Sequence, residues 1–587
     1  MLERCDIMKF IIYDFEVFRK DWLVVFKIPG SNEHIVFVND YEGIKKFFNE
    51  NKQNIFVGYN NNHYDNFILK AVLNDLNPYS VSKWIIDDKK SGWQYPNINK
   101  NIFFYSLDLM QDISGALGIS LKEIECNIGI SIEESNVDFT IDRELTQEEI
   151  EETIFYCKHD VDATEKLMEI RSDYIKSKLQ LINTFGLSMK CMYMTNAQMD
   201  AEIMEARPHT YNDELNYDMP ENVMLEDKSI LELYKTPLDK TQSLTKKICG
   251  VEHKLAFGGL HGATENSHYD DSDGEILNVD VTSYYPSLII KYGFCSRNVK
   301  NPKLYEEIYN TRVQLKKNKD PKQTAYKLVL NTFFGSMGYQ YNKLYDPYQC
   351  NQICITGQLF LIDLLEKLKP YIELIQSNTD GIMFKTHNRS KCEEIVHEWE
   401  QRTGMNMEFD NIQSVYQKDV NNYFVLMKNG EIKSKGGYVK NYTVKYKDGK
   451  LKEKYGDYVS NSMTILDEAI VKNLLYKIPV EETINNCNDP IRFQITTKKG
   501  PTYLKVVQQV GDDFITVNNV NRVFAGKDAK YGKLFKVKTN GRKDTIASLP
   551  DKCYVFNKDL SEMDINKIDK SWYIGECKER IKDFLGG

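Results

Sequence analysis

Paired cysteine motifs are missing from this 587-residue chain. Its twelve cysteines include no C-x-x-C, and the closest spacing, Cys350 and Cys354, has no second pair with which to build a zinc site. That excludes a zinc-finger framework and leaves reduced thiols in a cytosolic compartment as the simplest reading. No stretch approaches the roughly 20 apolar residues needed to span a bilayer. The N-terminus also lacks the basic start, apolar run and small-residue cleavage site of a signal peptide. A soluble, unexported protein with no membrane partner is expected. Internal repeats and low-complexity tracts are absent as well.

Basic charge is in short supply. Lys and Arg number 76 against 85 Asp and Glu, a net charge of −9, whereas nucleic-acid binding rests on cations that neutralise phosphate. Distribution decides more than the total. Nine lysines lie between Lys428 and Lys454, interleaved with Tyr438, Tyr442 and Tyr446, while the acids gather in the first 230 residues and around turns. Composition alone leaves two readings open, a solvated surface hairpin and a nucleic-acid surface. With 42% hydrophobic residues, the chain is too long for one core, so several domains should share it.

The opening MKFIIYDFEVF reads as an apolar strand that delivers Asp14 and Glu16 from one face, since side chains two apart on a strand point the same way. A mixed α/β region follows to about residue 170. TQEEIEETIFYCKHDVDATEKLMEIR starts with a Thr cap and early acids and carries helical apolar spacing, so it is read as a helix. From about 190 to 250 the pattern is weak, and TPLDKTQS reads as a linker or loop. ILNVDVTSYYPSLII is a strand running into a Pro-marked turn. Helices are expected at 302–317, 321–335 and 352–370, then a hairpin over IELIQSNTDGIMF with Asp380 at its tip. From about 415 the chain is strand-rich with basic turns.

Two sets of residues carry chemistry. In the first, Asp14 and Glu16 form a D-x-E, NNHYD supplies Asn61 and Asp65, and YCKHD supplies Tyr156 and Asp160. Four carboxylates converging from a strand, a second segment and a helix can hold two divalent cations about 3.5–4 Å apart, the arrangement that cleaves phosphodiesters. Tyr156 and Asp160 are four apart on a helix and share a face, so the phenol can orient an attacking water. This series resembles the proofreading exonuclease domain of replicative DNA polymerases, of the ribonuclease H-like fold.

In the second, DVTSYYPS from Asp280 to Ser287 resembles the first palm motif of family B DNA polymerases, with Tyr284 in place of Leu. KLVLNTFFG, Lys327 to Gly335, resembles the fingers motif of that family, with Thr332 for Ser and Phe334 for Tyr. The hairpin resembles the third motif, D-T-D, and reads Asn378, Thr379, Asp380 here. The resemblance makes Asp280 and Asp380 the metal ligands, with the backbone carbonyl of Val281 as an extra one, and leaves Asn378 as the departure. Lys327 and Asn331, with Arg312 and Lys316 on the preceding helix, then face the incoming triphosphate. Tyr285 lies beneath its sugar. Gly258 and Gly259 of FGGLHG resemble a Gly-Gly element near template phosphate, where a missing side chain lets backbone amides approach. Tyr423 of KDVNNYF fits a K-x-Y element at the primer terminus, although Asn421 replaces its lysine and Lys418 is the candidate substitute. Asn61, Lys433 and Lys435 complete the expected DNA contacts.

The resemblance implies an α/β multidomain fold, a ribonuclease H-like exonuclease domain plus a right-hand polymerase. The expected division is exonuclease at 1–185, a connecting region at 186–250, palm at 251–300 and 339–425, fingers at 301–338, and a thumb with C-terminal DNA-binding region at 426–587. The activity implied is template-directed DNA synthesis from dNTPs with 3′ to 5′ proofreading. Each active site would use two Mg²⁺, with Mn²⁺ as a substitute. The compact length points to a bacteriophage type, a monomer on primed DNA in the cytoplasm of the infected bacterial host, with phage replisome helper proteins as candidate partners. Asn378 keeps one alternative open, an exonuclease whose degenerate polymerase half serves as a DNA-binding module.

Overall fold

The FIIYDFEV segment becomes the centre of a sheet. It forms β1 (Phe10–Val17), flanked by β2 (Trp22–Lys27) and β3 (His34–Val38) on one side and by β4 (Ile55–Gly58) and β5 (Tyr105–Asp108) on the other. β1 pairs antiparallel with β2 and parallel with β4, which runs parallel to β5. A central strand of this kind is covered on both faces, and β1 is apolar on both except for its two acids. Tyr13 stacks on Phe26 at 5.8 Å between ring centroids and meets Phe56 edge-on at the same distance. The Gln147–Ile170 helix lies against β1 and β2. It starts in a capping box, with Thr146 accepting from the Glu149 N–H and the Glu149 carboxylate accepting in return.

The computed structural model describes residues 8–99, 102–113, 118–461 and 463–587. The chain forms two compact units, each a mixture of helices and strands. The first comprises Met1–Met199, Ile495–Phe524 and Asp528–Asp564; the second comprises Asp200–Gln494, Ala525–Lys527 and Ile565–Gly587.

The second unit is built on a 12-stranded sheet. Its strands are β6 (Leu244–Ile248), β7 (Val251–Leu255), β8 (Gly262–Ala263), β9 (Ser267–Asp270), β10 (Glu275–Val281), β11 (Ile372–Asn378), β12 (Gly381–Thr386), β13 (Met407–Asp419), β14 (Asn422–Met427), β15 (Ile432–Lys435), β16 (Tyr442–Lys447) and β17 (Lys450–Tyr455). Neighbours run β17-β16-β15-β14-β13-β10-β12-β11-β8-β7-β6, with β9 beside β13. Between β10 and β11 the chain makes four α-helices, Tyr284–Tyr292, Lys303–Lys317, Gln323–Met337 and Pro347–Leu368. The last begins five residues before the position that apolar spacing gives, because Asp346 accepts from the Gln349 N–H and Pro347 takes the first helical position.

Two stretches differ from what their sequence patterns suggest. Of the residues from about 190 to 250, which have too little periodicity to read, those from Asp200 onward belong to the second unit and are strapped into it by polar contacts. Arg297 bonds Asp213 and Asp346, and Asn222 donates to the Tyr292 hydroxyl at 2.6 Å. The block from 426 to 587 is divided between the units. Within the first unit, the buried Arg522 guanidinium donates to the carbonyls of Glu125, Cys126 and Ile130 at 3.2, 3.1 and 2.7 Å, capping the end of the Leu121–Ile128 helix. An arginine there satisfies orphan carbonyls and suits the negative end of the helix dipole.

Candidate active sites

In the first unit, strand alternation turns Asp14 and Glu16 of β1 to the same side. Asp65 opens the Asp65–Leu73 helix, where its carboxylate accepts the Phe15 N–H at 3.1 Å. Asp160 comes from the Gln147–Ile170 helix. One carboxylate oxygen each from Asp14 and Glu16 and the Cys157 sulfur lie within 4.8 Å of one another. Two carboxylates at that spacing repel by about 3–4 kcal/mol at an effective dielectric near 20. Burial first, then Asp65, Glu16 and Asp160, hold the Asp14 carboxyl well above its ordinary range, and burial with Asp160 and Asp65 does the same to Glu16. Asp65 is pushed up to about 7, mainly by burial. The chain thus brings together carboxyl groups that are costly to ionise side by side, a donor set that divalent cations fit.

Lys122 brings a cation to this cluster. Its ammonium bonds Asp160 and, at 3.0 Å, Glu125, and sits 4.7 Å over the Tyr156 ring. Burial and the surrounding carboxylates raise the Tyr156 phenol so far that it keeps its proton and remains a donor. Asn61, expected at DNA, is fully buried and donates to Ser106 Oγ at 3.2 Å, so it braces the loop that carries Asp65.

In the second unit, β10 and β12 bring the other two acids together. Asp280 stands opposite Gly381, and the Val281 N–H donates to the Asp380 carbonyl at 2.7 Å. A Cβ at Gly381 would fall 1.8 Å from Asp280 Oδ1, so only glycine leaves room for this carboxylate. Burial and the Asp380 charge push the Asp280 carboxyl up to about 6, against a hydrogen bond from Asn278 Nδ2 at 2.5 Å. Asp380 is exposed at the turn.

One cleft is lined by Ser283, Tyr285, Leu330, Asn331, Phe334, Thr379 and Asp380. The Tyr285 ring rests on Phe334 with centroids 4.3 Å apart. Ser283, which turns β10 into the following helix, has the left-handed backbone (φ 51°, ψ 54°) that non-glycine residues seldom adopt. Arg312 reaches toward its hydroxyl at 3.4 Å, while Lys316, Lys327 and Asn331 are exposed on their helices. Asn378 Oδ1 accepts the Thr379 N–H at 3.1 Å and lies among His261 and Tyr423. Gly259 passes under Thr379, where a Cβ would come within 2.5 Å of its hydroxyl, and the Gly258 carbonyl accepts from Gln358 at 2.5 Å.

The basic candidates separate. Lys433 pairs with Asp410 at 2.9 Å and Lys435 sits over the Tyr423 ring at 5.9 Å, both beside the acids. Lys418 is taken up by Asp583 at 2.8 Å. Sequence reasoning passed over Asn278, Lys122, Cys157 and Asp410. Asn278 was legible, being two residues before Asp280 on a strand, in an N-x-D that repeats at Asn378 and Asp380.

No protein-family model matches the chain. It is 23% identical over 161 residues to the DNA polymerase alpha catalytic subunit of Trypanosoma brucei brucei, covering 19% of this chain, and 23% identical over 160 residues to that of Leishmania donovani. The matches span 12% of the length of each of these relatives. A solved family B DNA polymerase from the hyperthermophilic archaeon Pyrobaculum calidifontis aligns with 98% of this chain and 78% of its own at a TM-score of 0.41 and 13% identity. Among the described residues, no helix is long and apolar enough to cross a membrane.

Proposed function

We propose that the chain is a template-directed DNA polymerase of the family B type with a 3′ to 5′ proofreading exonuclease, of bacteriophage kind. The carrying observation is the meeting of Asp280 on β10 with Asp380 in the turn that opens β12, where Asp380 lines a cleft with Tyr285, Asn331 and Thr379. On this reading the first sheet belongs to a ribonuclease H-like exonuclease domain, the second sheet to the palm and the Lys303–Met337 helical pair to the fingers. Divalent cations held by Asp280 and Asp380 would acidify the primer 3′-hydroxyl and offset triphosphate charge. Arg312, Lys316 and Lys327 draw the triphosphate in from their helices, and the Asn278 amide holds the Asp280 carboxylate by its hydrogen bond. In the first unit, Asp14, Glu16, Asp65 and Asp160 would hold the cations for hydrolysis, and the protonated Tyr156 phenol orients the attacking water.

The test is template dependence. Four reactions, each with Mg²⁺, a primed template and a single dNTP, should add only the nucleotide complementary to the template base. Addition of all four alike, or of none, would refute the assignment.

Two substitutions probe the cleft. Tyr285→Ala removes the ring that Phe334 backs, so the ratio of ribonucleotide to deoxyribonucleotide incorporation should rise at least about tenfold, as expected when the steric barrier removed is worth about 1.4 kcal/mol. An unchanged ratio would make Tyr285 a packing residue. Gly381→Ala drives a Cβ into the Asp280 carboxylate, so extension should fall by about two orders of magnitude or more, the scale of removing one interaction that stabilises a transition state. Degradation of a 3′ single strand should persist in the same preparation.

A further inference from the structure

The β16–β17 hairpin at the edge of the large sheet carries a one-sided array of lysines. Its Asp448-Gly449 turn has positive φ at both residues, 53° and 75°, the two-residue turn that suits strand twist. Across the strands Lys445 faces Lys452, Lys447 faces Lys450 and Thr443 faces Lys454. Directly opposed residues share a face, so five lysines stand on one side of the hairpin and Tyr442, Val444, Tyr446, Leu451, Glu453 and Tyr455 on the other.

The apolar side anchors the hairpin. Tyr442 and Val444 are buried, the Tyr442 hydroxyl donates to Glu453 at 2.7 Å, Lys472 pairs with Glu453 at 3.0 Å, and the Arg492 guanidinium lies 3.8 Å over the Tyr455 ring. The lysine side has little to balance it. Among the described residues, Lys452 pairs with Asp448 at 2.7 Å, and the other four have no salt bridge. Two like-charged pairs placed directly across from one another destabilise a hairpin. Protection of a free sheet edge needs lysines only on the outermost strand, yet Lys445 and Lys447 lie on the inner one.

Registers carry this face back to the acids. Ile432 pairs with Val444, so Lys433 and Lys435 share the face of Lys445. Lys433 pairs with Val425, and Val425 and Ile412 belong to one apolar cluster with Ile276 of β10, on the same side as Asn278 and Asp280. The 2.9 Å pair between Lys433 and Asp410, which stands opposite Asn278, closes the path. Five strand spacings of about 4.8 Å separate β10 from β17, roughly 24 Å in all. At 3.4 Å per phosphate along one strand, that is about seven base pairs.

We propose that the lysine face of β16 and β17 holds the phosphate backbone of duplex DNA about seven base pairs from the primer end at Asp280 and Asp380. This rests on the polymerase reading for its direction. Three features favour a polyanion: an anchored hairpin, a face of one charge sign, and strand registers that put that face and the acids on the same side of the sheet.

The test is fluorescence anisotropy of the full chain with hairpin DNA duplexes of 4 to 14 base pairs. Wild-type affinity should rise about tenfold or more as the duplex passes seven base pairs. In K445Q/K447Q/K450Q/K454Q that rise should vanish, and the slope of log K against log salt should lessen by about 3–4, near 0.9 for each phosphate no longer neutralised. The matching Lys→Arg quadruple variant should restore both. A Gln variant with wild-type length dependence and slope overturns the proposal, and so does an Arg variant as weak as the Gln variant, because charge would then not be the cause. An equal slope change with single-stranded DNA alone would assign the face to unpaired template and overturn the duplex proposal. Wild-type primer extension in the same preparation separates the two claims: no extension beside intact length dependence sinks the polymerase reading and leaves the duplex surface standing.

Discussion

Asp380→Asn should abolish primer extension while leaving 3′ single-strand degradation intact, and Asn378→Ala, two residues away, should still extend. Asp380 and Asp280 are the two carboxylates that β12 and β10 bring together, and one fixed carboxylate cannot serve two cations. A fall of about two to three orders of magnitude or more is expected. Asn378 carries no charge. Its Oδ1 accepts the Thr379 N–H at 3.1 Å and so shapes the turn that presents Asp380. An amide there can orient a metal-bound water, and triphosphate supplies the remaining charge. Asn378→Asp should be active, and Asn378→Ala should need more Mg²⁺. Primer extension over a Mg²⁺ titration decides it: if Asn378→Ala is as inactive as Asp380→Asn, the amide is a required ligand or turn residue and the metal assignment is wrong.

The second large effect lies in the other unit. Asp14→Asn with Glu16→Gln should eliminate 3′ degradation and spare extension, since the two sets of acids belong to different compact units. It should also stabilise the metal-free chain. The half-buried Asp14 and buried Glu16, with carboxylate oxygens within 4.8 Å of each other, repel in the folded state and not in the unfolded one, so removing both relieves a cost that cations would otherwise offset. In a chelator the melting temperature of the double variant should exceed that of wild type by about 2–4 °C for each kcal/mol relieved. Added Mg²⁺ should raise the wild type and leave the variant nearly unmoved. A wild type indifferent to Mg²⁺ and an unaltered variant would show that these acids are balanced without metal.

What was legible in the sequence follows from how local its cause is. Asp14 and Glu16 could be placed on one face because strand alternation is a two-residue rule, and the hairpin around Asp380 could be placed because its apolar runs flank a Thr-Asp-Gly turn. The helix at Gln147 was readable from Thr146 and Glu149, a cap that acts over three residues. Lys122 was not readable, because nothing in its own segment reveals that Asp160, 38 residues on, receives its ammonium. The return of residues 495–524 and 528–564 to the first unit was equally hidden. The bonds that fix it join Arg522 to carbonyls 392 to 397 residues earlier, and an isolated arginine in a strand carries no signal of that distance. Asn61 shows the converse, a residue whose motif position suggested a ligand contact and whose burial gives it a bracing role.

The most direct measurement follows both activities on one primer. With a primed template, Mg²⁺ and only the dNTP that pairs with the first template position, the primer should stop one nucleotide longer while that dNTP is steadily converted to the monophosphate, as the 3′ end is trimmed and refilled. The Asp14→Asn, Glu16→Gln variant should make the same product with little monophosphate, and Asp380→Asn should shorten the primer without refilling it. A wild-type chain that shortens the primer whether or not the paired dNTP is present would contradict the two-site polymerase directly.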